Sequence, residues 1–186
     1  APAALPPMKR FGAPQMPVSF ISNGDLARDF LELSFQMESG RALPVLTRFE
    51  TPVTVRVTGD APPTLGPDLA GLLTRLRREA RIDIRTTTAA EASITVNAVS
   101  HAEIRKVLPD AACFVAPNVA TLSEYRRARR AARTDWTQLA ERTRLAIFIP
   151  GDASPQEIRD CLHEEIAQAL GPLNHLYCLP DSVFND

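Results

Sequence analysis

Histidine is scarce in this chain, three in 186 residues, and so are cysteine (three), tryptophan (one) and net charge (-1). Each shortage excludes something. A balance of 21 basic against 22 acidic side chains gives no electrostatic footprint for a general nucleic-acid binder. No apolar run approaches the ~20 residues that cross a bilayer, so the domain itself reads as soluble. Three cysteines permit one disulfide and leave one thiol over. No nucleophilic Ser or Cys stands beside a recognisable base, and no repeat or second core is visible.

What is present suffices for one globular domain: 45% of residues are hydrophobic and 23% charged. Residues 1 to 19 carry five prolines and no periodic pattern, and read as an extended arm. The stretch opens "APAALPP" from Ala1, like the stub of a trimmed leader, which suggests export. Exported chains tend to oxidise their cysteines, and the pair chosen here from Cys113, Cys161 and Cys178 is Cys113 with Cys161.

From Phe20 onward a single α+β domain with a small mixed sheet is expected. "SNGDLARDFLELSFQMESG" offers capping residues, then Leu26, Phe30 and Leu33 at helical spacing, with Gly40 as a stop. "TPVTVRVTGD" alternates as a strand, and "GPDLAGLLTRLRREA" repeats Leu69, Leu72, Leu73 and Leu76 as a helix. "IDIRTTT", "ASITVNAVS", "CFVAP" and the more central "RLAIFIP" read as further strands. In "SPQEIRDCLHEEIAQALG", Ser154 and Glu157 form a capping box, Pro155 fits the first turn, and Gly171 ends a last helix.

Charge is uneven along this frame. Thr121 to Arg144 holds seven Arg against three acids, while Gly151 to Asp186 holds seven acids against Arg159 alone. The Arg run reads as a solvated helical face; an anionic partner, or docking on the acidic tail, are its alternatives. Trp136 and Phe148 read as core, with ligand stacking the other option for Trp136. His101 reads as exposed.

The last helix carries the chemistry. Zinc hydrolases with H-E-x-x-H-x-x-G-x-x-H set two ligands four apart on one helical face, a glutamate against the bound water, and a glycine that returns the chain with a third ligand. Laid on this chain, the pattern meets Glu164, Glu165, Gln168, Gly171 and Asn174. Glu165 would be the catalytic base and Gly171 the turn. Glu164, Gln168 and Asn174 would stand at the metal positions, where amides are weak ligands and zinc affinity should be lost. The register from His163 fails, because Ala167 occupies the fourth position on. A Cys161, His163, His175, Cys178 zinc cluster is disfavoured, since residues two apart on a helix point about 200° apart.

The stretches "DLARDFLELSFQMESGRALPVLTRFETPV", "EEIAQALG" and "DSVFND" resemble domain-of-unknown-function family 2927, a proteobacterial family of predicted lipoproteins, from Phe20 to the end. The element order and final helix resemble in turn the metzincin-like zincin fold, with "SVFND" at the turn beneath the metal and Phe184 replacing the usual methionine. The resemblance implies a periplasmic or envelope-associated protein, compatible with a lipid anchor ahead of Ala1. It implies a degenerate, non-catalytic metallopeptidase-like domain, without cofactor, that binds an unknown protein or peptide of the cell envelope. The alternative is a hydrolase in which Glu164, Gln168 and Asn174 weakly hold a divalent metal while Glu165 activates water. A third reading gives the polar cluster stability alone.

Overall fold

The computed structural model describes residues 22–176. The 1–19 arm, Cys178, Phe184 and the "DSVFND" stretch lie outside them. Within them the chain forms one α+β domain: a five-stranded mixed sheet with helices on both faces. The strands are β1 (Val53–Gly59), β2 (Ile84–Thr86), β3 (Ile94–Val99), β4 (Phe114–Pro117) and β5 (Leu145–Pro150), in the order β2-β1-β3-β5-β4. All neighbours are parallel except β4, which runs antiparallel to β5 at the sheet's edge.

Alternation along the strands divides the core between the two faces. On one face Leu145, Ile147 and Ile149 of β5, with Ile94 and Val96 of β3, pack against α2 (Leu65–Glu79) and α5 (Pro155–Leu170). On the other, Phe114, Ala146 and Phe148 pack under α3 (His101–Arg105) and α4 (Leu122–Ala128). Both faces being covered, all six residues of β5 are buried, which is why this strand reads as a continuous apolar run and not as an alternation.

The helix signals of the sequence have visible counterparts at the two ends of the domain. Ser154 caps α5 and exchanges bonds with Glu157, and Pro155 lies in its first turn. Ser22 caps α1 (Asn23–Phe35). One expectation about α1 is corrected. The helix ends at Phe35, and Gly40 sits beyond it with φ 75°, in a turn that its own N–H closes onto the Met37 carbonyl. That turn folds the chain back so that Gln36 bridges Ala42. Leu26 and Phe30, at the helical spacing expected, are 49% and 52% exposed.

Candidate functional site

A cleft of about 720 Å³ opens between β4 and α5, closed by the 37–41 turn and by the 129–138 segment. The helical repeat explains why α5 contributes several polar groups to it: Cys161, Glu164, Glu165 and Gln168 recur at three- and four-residue spacing and so share one side. Glu164, Glu165 and Gln168 line the cleft.

Cys161 is joined to Cys113, the residue just before β4, by a disulfide with a Cα–Cα distance of 5.9 Å. This bond fastens the edge strand to the helix and fixes the two walls of the cleft relative to each other.

Gln168 and its neighbours form a compact polar group. The Gln168 amide Nε2 donates to Glu38 Oε1 at 2.7 Å and lies 3.2 Å from His175 Nε2. His175 Nε2 is also 3.5 Å from Glu164 Oε1 and 3.8 Å from Glu38 Oε1. Glu38, Glu164 and His175 thereby bring three ligand-type atoms within 4.8 Å of one another. A second such group, Cys113 with Glu164 and Glu165, offers no thiolate because Cys113 is in the disulfide.

Glu165 sits deepest. It is 2% exposed, and its Oε2 has no hydrogen-bond partner among the described residues. Burial, then the nearby Glu164 and Glu38, push its carboxyl well above the usual carboxylate range.

Of the expected metal positions, the structure unites Glu164 and Gln168 but turns Asn174 elsewhere. The Asn174 amide donates to the Glu32 carbonyl at 3.1 Å, on the α1 side. The cause is backbone pairing beyond Gly171. Leu173 bridges Met37 in parallel register, its N–H bonds the Leu33 carbonyl, and its carbonyl accepts from Glu38. In a stretch so paired, residues two apart fall on one side, so Leu173 packs in the core and His175 lies beside Gln168 and Glu164.

The remaining histidines lie apart. His163 is partly buried with Asp68, Arg75, Asp160 and Arg159 around it, and burial, then Arg75, lower its pKa. The backbone N–H of His101 bonds Asp152.

Two functional residues escape reading from the sequence. Glu38 follows a helix and carries no motif; only the turn after α1 brings it to α5. Arg142, one of seven in the basic run, is 2% exposed. Its guanidinium donates to the carbonyls of Gln168, Ala169 and Gly171 and to Thr47 Oγ1, and stacks 5.1 Å over Trp136. It thus caps the C-terminus of α5 with positive charge, where the helix's last carbonyls need donors. Burial lowers its pKa to about 10, which leaves it charged at neutral pH. Trp136 is packed partly against the core and partly lines the cleft, and Phe148 is fully buried.

Fold and site together describe a single α+β domain with a polar cleft beside an edge strand, and no helix among the described residues is long and apolar enough to cross a membrane. The chain belongs to the family described as protein of unknown function DUF2927, whose model matches residues 23–186. No curated protein matches it.

Proposed function

We propose that this chain is an exported, envelope-associated recognition domain with a degenerate metzincin-like fold, which binds an extended peptide or protein segment in the cleft without hydrolysing it. The observation that carries this reading is the edge strand. Asn118 N–H bonds the Arg144 carbonyl, and the β4–β5 register pairs Ala116 with Ala146 and Val115 with Ile147. By antiparallel alternation, Ala116 bonds β5 while the N–H and C=O of Val115 point away from β5, toward the cleft. An extended segment can add to such an edge through main-chain hydrogen bonds.

Two further observations support the reading. The Cys113–Cys161 disulfide is of the kind that persists in oxidising compartments. The order of elements, ending in an α5 that carries Glu164, Glu165 and Gln168 into the cleft, is compatible with a zincin ancestry. Three imidazoles for a tight hydrolytic zinc are not gathered at α5: among the described residues only His175 approaches Glu164. Hydrolysis with Glu165 as base is the second reading, favoured by that carboxyl's unpartnered oxygen on the cleft wall.

Selection of peptides from a displayed random library, followed by fluorescence anisotropy, tests the proposal. Val115→Pro removes the outward N–H and should weaken binding about fivefold, the worth of one hydrogen bond. Glu165→Gln should leave affinity nearly intact. Failure to select any binder, or binders indifferent to Val115→Pro with the variant's circular dichroism unchanged, overturns the reading. Peptide cleavage that Glu165→Gln abolishes would establish the hydrolase instead.

A further inference from the structure

We infer that a divalent-cation site of a kind suited to zinc or manganese is formed at the cleft wall by Glu38, Glu164 and His175. The three residues come from the turn after α1, from α5 and from the segment beyond Gly171, so one ion would join three separate pieces of chain. The site stands whether or not the cleft takes a peptide.

The geometry is close to what such an ion requires. Bonds of about 2.0–2.2 Å at tetrahedral angles set ligand atoms roughly 3.3–3.6 Å apart. His175 Nε2 lies 3.5 Å from Glu164 Oε1 and 3.8 Å from Glu38 Oε1. The Glu38 and Glu164 carboxylates lie within 4.8 Å of each other, so the three side chains would draw together around an ion. Two carboxylates and an imidazole make a mixed oxygen and nitrogen set, which fits zinc or manganese; calcium would ask for six or more oxygens. The Gln168 amide Nε2 bonds Glu38 Oε1 and lies 3.2 Å from His175 Nε2, the same atoms that would bind the ion, so metal entry would turn this amide out of the group.

A cluster of this kind needs an independent pointer to a ligand, and Glu165 supplies it. This side chain is 2% exposed and lines the same cleft; one of its carboxylate oxygens lies within 4.8 Å of Glu164's, and Oε2 has no hydrogen-bond partner among the described residues. Buried polar atoms are rarely left so, and a cation's bound water would give this oxygen a partner.

Equilibrium dialysis of the chelator-stripped protein against zinc chloride and manganese chloride, read by plasma mass spectrometry and by thermal melting, tests the site. About one equivalent of one of these ions should be retained, with a rise in melting temperature. Glu38→Gln and His175→Ala should each weaken binding by about tenfold or more, the effect of losing a ligand. Asn174→Ala, whose side chain faces α1, should bind like the wild type. Glu38 is exposed, so its variant should fold, and its circular dichroism would confirm that. Retention below about a tenth of an equivalent of both ions, or equal retention by Glu38→Gln, His175→Ala and the wild type, overturns the inference.

Discussion

At the residue scale Arg142 and Glu165 are the two buried charged side chains among the described residues, and Arg142 is the one with partners on every side. A buried guanidinium that satisfies three carbonyls at the end of α5 cannot be removed quietly, because each orphaned carbonyl costs about 1–3 kcal/mol. Arg142→Ala should therefore destabilise the domain by about 3 kcal/mol or more in urea denaturation. Arg142→Lys should recover only part of this, since one ammonium cannot reproduce the planar fork that reaches Thr47, the three carbonyls and the Trp136 face. A lysine variant as stable as the wild type would show that charge alone matters. Sequence could not single out this residue: seven arginines share its stretch, and what sets it apart is the proximity of the α5 terminus, a long-range fact. Glu164 and Gln168 were legible for the opposite reason, because helical spacing is local. The same counting stops working after Gly171, where pairing of Leu173 with Met37 replaces the helix and delivers His175 where helical motif spacing suggests Asn174.

At the scale of elements, α5 and β4 form the working unit, and their covalent tie should be measurable. The disulfide closes a loop of 48 residues, for which chain entropy gives about 4 kcal/mol as an idealised contribution. The Cys113→Ala, Cys161→Ala double variant should lose about 2–4 kcal/mol, and reduction of the wild type should approach the same value. A loss near zero would mean that packing alone seats β4 on α5. The N-cap is a second handle: Ser154→Ala should cost about 1 kcal/mol by freeing the Glu157 N–H. The strands, the apolar repeat of α2 and the capped start of α5 were readable because period two, period 3.6 and capping chemistry are local signals. The environment of α1 was not, since periodicity says that a helix has an apolar side but not whether anything covers it.

At the scale of the whole molecule, the pH dependence of stability should carry the signature of two carboxyls that behave oppositely. Burial would raise the Glu124 pKa, but the Ala120 N–H and the guanidiniums of Arg133 and Arg144 outweigh it, and the net shift is down from 4.5. A lowered folded-state pKa means that the unfolded chain binds the proton more readily, so this contribution is present above about pH 4.5 and fades as pH falls through the folded value. Glu165 has the reverse sign. Its folded-state pKa is raised, so the folded chain holds the proton more tightly; stability is full below about pH 4.5 and is lost as pH rises toward the folded value. For metal-stripped protein the two effects predict that Glu124→Gln flattens the acid side of the stability curve and that Glu165→Gln removes a loss on its alkaline side, against which the lowered pKa of His163 adds stability as pH rises. Melting temperatures in EDTA from pH 3.5 to 8.5 would show this, and Glu165→Gln should overtake the wild type toward the alkaline end because a neutral amide avoids a buried, unpartnered negative charge. Should the wild type and Glu165→Gln trace the same curve above pH 5, Glu165 must find a partner or a path to water that its buried position in the cleft wall does not provide.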